Sequence, residues 1–163
     1  MPTSQPAPIL LDNTVLSNFA LVKQTDLVLQ LWSNCTTTAD AWREYQAGVA
    51  LGYLPKETWI AIPQIKLNET EDKIAQQFVK ALGAGERTCI AVAKNRGGLF
   101  VTDDRKARQV ALEMGVKVTG TLGILIVAVE RKIIPIGDAN HLLGQMIKYG
   151  YRSPVDNLSD LFS

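Results

Sequence analysis

Histidine and cysteine are nearly absent from this sequence, and their scarcity excludes a good deal of chemistry. His141 is the single histidine, and Cys35 and Cys89 are the only cysteines, without metal-site spacing. Zinc sites built from clustered cysteine and histidine are therefore excluded. A serine-histidine-acid triad would have to use His141, and no Gly-x-Ser-x-Gly turn exists to present its nucleophile. No Gly-x-x-x-x-Gly-Lys-Ser/Thr loop is available to cradle phosphates. His141 reads as a helix-surface or packing residue, and the two cysteines read as reduced, buried thiols. Long apolar runs are missing too: the most apolar stretch, Leu122 to Val129, is far too short to span a bilayer. Met1 to Pro8 has no apolar run behind a basic stretch and reads as a loose tail, not a signal peptide. These absences predict a soluble, cytoplasmic protein with no membrane partner.

What is present suits one ordinary globular domain. The chain has 163 residues, 47% apolar and 20% charged, which is enough to bury a core without disulfides. The expected division is a tail over 1–8, a domain over 9–152 and a C-terminal tail over 153–163. The net charge is only +1, but it is unevenly spread: residues 94–132 carry 8 basic and 4 acidic side chains. Lys94, Arg96, Arg105, Lys106, Arg108, Lys117, Arg131 and Lys132 make up this excess. Such a segment forms either a surface for phosphates or a merely solvated helix face.

Strand and helix patterns alternate along the chain. Ile9-Leu10-Leu11, Cys35 to Thr38, Thr58 to Ile62, Leu99 to Thr102 and Val116 to Val118 read as strands. Helical patterns run from Val15 to Val22, Thr25 to Trp32, Asp40 to Leu51, Glu69 to Leu82, Glu86 to Asn95, Arg105 to Met114, Gly120 to Glu130 and Asn140 to Tyr149. The alternation predicts a parallel sheet covered by helices on both faces. Ligands of such sheets sit beyond the C-terminal strand ends, where strand order reverses.

Acids stand at those positions. Asp12 follows the first strand, and Asp103 with Asp104 follows the fourth. Carboxylates gathered at one place repel unless a cation or proton lies between them, and hard divalent cations prefer oxygen ligands. Each acid also has a plain structural reading. Asp12 can cap the helix starting near Thr14, Asp103 or Asp104 the helix starting at Arg105, and Glu86 can favour a helix N-terminus. Glu44 can be a solvated helix residue. Convergence on strand ends weighs against the structural reading for Asp12 and for Asp103 with Asp104, though not for Glu44.

Four segments in order resemble the PIN-domain nuclease family, over roughly Ile9 to Arg152. Leu11-Asp12-Asn13-Thr14-Val15-Leu16 is similar to its opening motif, although the family more often has Thr-Ser after the aspartate. Glu44 stands where the family has a glutamate, although its flank, Thr37 to Arg43, lacks the usual proline and valine. Gly85-Glu86-Arg87-Thr88-Cys89-Ile90-Ala91-Val92-Ala93 resembles the Gly-Glu segment of a PIN subgroup, and Val101 to Arg108 resembles its Asp-Asp-x-x-Ala-Arg segment. Gly115 and Gly120-Thr121-Leu122-Gly123 continue the match. The resemblance implies a three-layer α/β/α sandwich around a central parallel five-stranded sheet. It implies cleavage of single-stranded RNA by metal-activated water with Mg2+ or Mn2+, as in VapC-type toxins of toxin–antitoxin pairs. By position, Asp12, Glu44, Glu86, Asp103 and Asp104 form the catalytic acid set, with Asp12, Glu86, Asp103 and Asp104 as metal ligands. Thr14 would orient Asp12 or a bound water, and Arg105 and Arg108 would hold RNA phosphate at the rim.

Two other readings compete. A haloacid-dehalogenase-type phosphatase also uses an aspartate after strand one, but needs a second two residues later, where Thr14 stands. A non-catalytic nucleic-acid- or protein-binding module on a PIN scaffold would follow from weak metal ligation. An antitoxin or a second copy of the chain would find contacts on Trp32, Trp42, Tyr45, Tyr53 and Trp59 if these are exposed.

Overall fold

The computed structural model describes residues 6–78 and 80–162. Its strands are β1 (Ile9–Leu11), β2 (Cys35–Thr38), β3 (Gln64–Ile65), β4 (Leu99–Val101) and β5 (Lys117–Thr119). Its helices are α1 (Asn13–Leu21), α2 (Thr25–Leu31), α3 (Ala39–Ala50), α4 (Glu69–Gln76), α5 (Ala84–Arg96), α6 (Arg105–Glu113), α7 (Thr121–Glu130) and α8 (Ile136–Lys148). The five strands form an all-parallel sheet in the order β3-β2-β1-β4-β5. The chain winds outward from β1 to β3, then returns to add β4 on the other side of β1. Strand order therefore reverses between β1 and β4, which opens a crevice at their C-terminal ends.

Side-chain alternation builds the two faces. Leu10 and Phe100 point to one face and pack with Cys89 and Ile90 of α5 and with Ala107 and Ala111 of α6. Ile9, Leu11 and Val101 point to the other and pack with Val15, Leu16 and Phe19 of α1, Leu125 of α7 and Leu143 of α8. The result is the expected three-layer α/β/α sandwich, with α3 at one edge. Tyr45 of α3 joins the first-helix layer and Ala41 the other.

β2 places three threonines in the interior, and each hydroxyl finds a partner, as burial requires. Thr36 donates to the Pro63 carbonyl at 2.8 Å and Thr37 to the Leu11 carbonyl at 2.7 Å. Thr38 shares a 2.7 Å hydrogen bond with Thr88 of α5.

The third strand is not where its sequence pattern puts it. Thr58 to Ile62 forms turns, and the two-residue β3 follows Pro63. Burial here is achieved by a loop: Trp59 tucks in at 2% exposure and its indole N–H donates to the Leu16 carbonyl at 2.9 Å. Glu57 and Trp59 both adopt left-handed backbone, which strand geometry forbids. Ile60, by contrast, is 80% exposed. α4 also stops at Gln76, short of Leu82, with Val79 outside the described residues, and α8 begins at Ile136, four residues before Asn140.

Among the aromatic contact candidates, Tyr45 and Trp59 belong to the core, Trp32 and Trp42 are half-buried, and Tyr53 alone is exposed. Both cysteines are buried free thiols, and burial pushes the Cys35 thiol up to about 12. Residues 1–5 and 163, expected as parts of tails, lie outside the described residues. Beyond Arg152 a short 3-10 turn, Leu158–Leu161, seats Leu158 in the core at 0% exposure, and the Leu158 N–H donates to Asn140 of α8. Among the described residues, no helix is long and apolar enough to cross a membrane.

Candidate functional site

The ends of β1 and β4 are laced together by two threonine hydroxyls. Thr14 Oγ1 donates to Asp12 Oδ1 at 2.6 Å and accepts the Asp103 N–H at 3.0 Å. Thr102 Oγ1 donates to Asp12 Oδ2 and accepts the Asp104 N–H at 3.1 Å. Asp12 Oδ1 also caps α1 through the Thr14 and Val15 N–H groups. The capping role and a functional role thus fall on one carboxylate. Asp12 is 2% exposed. Burial pushes its carboxyl up to about 7, against the pull of Thr102, Thr14 and the Val15 N–H, and Asp103 adds repulsion.

The adjacent aspartates face different ways. Asp104 caps α6, with Oδ1 accepting the Ala107 N–H at 2.8 Å, and it lies against Glu86. Asp103 turns toward α1 and α7. Its Oδ1 accepts the Thr121 N–H at 2.8 Å, and its Oδ2 accepts Asn18 Nδ2 at 2.9 Å and the Thr121 hydroxyl at 2.5 Å. Asp103 therefore ties three elements together. Gly120 makes room for this: a Cβ there would stand 2.6 Å from Asp103 Oδ1 and 2.8 Å from Arg108 Nη1.

Glu86 reaches the same crevice from the first turn of α5. Its Oε1 accepts the Gly83 N–H at 3.3 Å, and among the described residues its Oε2 is buried with no hydrogen-bond donor. Burial first, then the Asp104 and Asp12 carboxylates, push the Glu86 carboxyl up to about 7. Glu44 arrives beside it from α3, with Oε1 accepting the Gly85 N–H at 2.9 Å. A Cβ on Gly83 would sit 3.5 Å from Glu44 Oε1 and 3.6 Å from Glu86 Oε1, so these two carboxylates are neighbours. Gly85 is required for that approach, because a Cβ there would stand 2.7 Å from Glu44 Oε2 and 2.9 Å from the Ala41 Cα.

All five acids thus gather around the reversal point, in two groups. Glu86 is repelled by Asp104 and Asp12, Glu44 flanks Glu86, and Asp103 repels Asp12 while tying β4 to α1 and α7. Their donor chemistry fits a hard divalent cation: oxygen ligands, mutual repulsion and one orphaned buried oxygen. They are not a finished cage, since among the described residues no group of three His, Cys, Asp or Glu side chains is arranged to hold an ion.

The basic segment does not form one surface. Lys94 Nζ donates to the Met114 carbonyl, Arg96 pairs with Glu71, and Arg131 donates to the Leu31 carbonyl. Arg105 and Arg108 remain together beside Asp103, on the wall of a groove of about 890 Å³. Arg108 Nη1 donates to the Thr102 carbonyl at 3.1 Å. Sequence reasoning missed Thr102, Asn18 and Thr121. Asn18 stands four residues after Thr14, on the same helix face, which was the one available signal. His141 is exposed on α8.

An all-parallel doubly wound sheet with acids at its reversal point defines an α/β class whose site lies at the C-terminal strand ends. Within it the chain belongs to the PIN-domain family: the family model DUF3368, PIN domain, matches residues 8–162. PIN domains are generally nucleases, and PIN nucleases typically use divalent metal. No curated protein and no solved structure matched the chain.

Proposed function

We propose that this protein is a metal-dependent ribonuclease that hydrolyses phosphodiester bonds of single-stranded RNA. One observation carries the reading: carboxylates from β1, α5 and β4 converge where strand order reverses, and among the described residues Glu86 Oε2 is buried with no donor but a neighbouring carboxyl. Asp12, Glu86 and Asp104 are the residues that would hold the ion. Magnesium or manganese bound there would supply Lewis acidity and neutralise phosphate charge. Thr14 and Thr102 fix the rotamer of Asp12 before any ion arrives, so less ordering remains to be done on binding. Asp103 orients the β4 end through Asn18 and Thr121, and Glu44 holds the α5 N-terminus in place through Gly85. Arg105 and Arg108 position the RNA backbone. The reading brings two partners with it: an antitoxin whose segment covers the acids, and a second copy of the chain.

A non-catalytic binding module on the same scaffold is the second reading. It is favoured by the absence, among the described residues, of three acids already arranged to hold an ion. Calorimetric titration with manganese and cleavage of a labelled single-stranded RNA separate the two. The nuclease reading expects cleavage only with metal. Asp12→Asn and Asp104→Asn should lose more than ~100-fold, and Asp103→Asn about tenfold, in keeping with an indirect role. Aspartate variants that cleave as well as the wild type would exclude the mechanism, and no binding at millimolar manganese would favour the module.

A further inference from the structure

Asp103 is shared by two grooves. The larger, about 890 Å³, is lined on its α6 side by Arg105, Arg108 and Gln109. The smaller, about 440 Å³, is lined by Asn13, Ser17 and Asn18 of α1 and by Asp104. Tyr151 and Arg152 line both. These two residues therefore stand as a partition between the grooves, beside the acid site.

The backbone holds the partition in place. α8 ends with Gly150 in a left-handed conformation, φ +111°. The Gly150 N–H donates to the Ile147 carbonyl and the Tyr151 N–H to the Met146 carbonyl, each at 3.0 Å. This paired closure fixes how the chain leaves the helix and aims Tyr151 and Arg152 at the crevice. The Tyr151 ring is half-buried and lies close to both Asp103 and Arg108.

The two linings differ chemically. The larger groove carries Arg105, Arg108 and Arg152, with Glu113 as an opposing acid that accepts from Gln109. Arginines of this kind suit phosphate oxygens. The smaller groove offers amide and hydroxyl groups, which suit base edges. An aromatic wall between the two suits stacking, which needs an unpaired base.

We infer that Tyr151 and Arg152 form a nucleotide subsite of the acid centre, where a single strand crosses from one groove to the other with one unpaired base against Tyr151 and a phosphate on Arg152. This rests on the nucleic-acid reading of the acid site, although it does not require cleavage. A paired duplex cannot present a base to this wall, so the subsite selects single strands.

The test is fluorescence anisotropy with a labelled ten-nucleotide single-stranded RNA in EDTA at low salt. Tyr151→Ala should weaken binding about tenfold, and Tyr151→Phe should stay within about twofold of the wild type. Arg152→Ala should lower the slope of log affinity against log salt by about one. A duplex of the same sequence should compete poorly. Circular dichroism melts identify any variant that has unfolded, and if Tyr151→Ala is one of them, Tyr151→Leu, which keeps an apolar side chain without the ring, takes its place and should also weaken binding. Wild-type binding that is indifferent to Tyr151→Ala, or equal affinity for duplex, overturns the subsite while leaving the nuclease reading intact. Normal Tyr151 dependence with no cleavage in manganese supports the subsite and removes the nuclease. A wild type that binds no RNA in EDTA overturns the subsite, and the nuclease reading then stands or falls on cleavage in manganese.

Discussion

Replacing Glu86 by glutamine should stabilise the metal-free protein while weakening its hold on metal. The Glu86 carboxyl sits at about 7 against an ordinary 4.5, chiefly through burial and secondly through Asp104. An acid whose folded value is raised holds its proton longer in the folded state than in the unfolded chain. Stability therefore falls as pH rises from about 4.5 to about 7, and the loss is complete above that. At about 1.4 kcal/mol per tenfold in proton affinity, the full displacement is worth ~3 kcal/mol, and partial solvation of the side chain reduces this to about 1–2 kcal/mol. Glu86→Gln removes this cost and keeps an oxygen for the Gly83 N–H, while its new amide can donate to Asp104. In thermal melts with EDTA at pH 8, the variant should melt about 2–6 °C above the wild type. The two should converge near pH 4.5, where the wild-type carboxyl is protonated. Added manganese should raise the wild-type midpoint and barely move the variant's, because ligand binding stabilises only a fold that binds it. A variant that melts below the wild type at pH 8 in EDTA, or a gap that does not change with pH, would refute the reasoning.

Three further outcomes follow from packing and ion-pair contacts, one remote from the acids and two beside them. Glu71 is 0% exposed and receives Arg96 Nε at 2.7 Å and Arg96 Nη2 at 2.8 Å. Burial works against its charge, but Arg96, the Asn68 N–H and Asn95 outweigh burial and hold the carboxyl below its ordinary value. Arg96→Met should cost about 3 kcal/mol at pH 7, read by urea melts. That gap should persist above the ordinary value of 4.5 and close as pH falls through the lowered folded value of Glu71. Gly85→Ala should force α5 from α3 by overpacking, costing about 1–3 kcal/mol and weakening manganese binding by calorimetry. Gly83→Ala, whose Cβ would make only ordinary contacts at 3.5 Å and beyond, should cost under about 1 kcal/mol in the same assays.

Much of this architecture was readable because it rests on local rules. Ile9-Leu10-Leu11 and Leu99-Phe100-Val101 are short apolar runs bounded by turn residues, the pattern of a strand buried on both faces. Asp12 and Asp104 sit at cap positions, so strand end and helix start could be located together. The third strand was not readable. Its segment is β-branched, but Trp59 and Tyr45 pull it into a turn, and only two residues after Pro63 pair with β2. The basic excess between 94 and 132 left two readings open, because sequence neighbours on helices point to different faces. Arg96 and Arg131 are spent on Glu71 and on the Leu31 carbonyl, far from the acids.

The sequence alone determined which residues could carry chemistry. With one histidine and no cysteine cluster, acids at strand ends were what remained, and the local capping rules fixed where they would stand. Tertiary structure decided how those acids divide. Asp103 and Asp104 are adjacent in the chain, yet Thr121 and Asn18, distant in sequence, claim Asp103, while Glu86 of α5 meets Asp104. Capping depends on neighbours within one turn, so sequence specifies it. Repulsion between carboxylates and the aim of a side chain depend on distances set by helix packing, and no spacing along the chain encodes those.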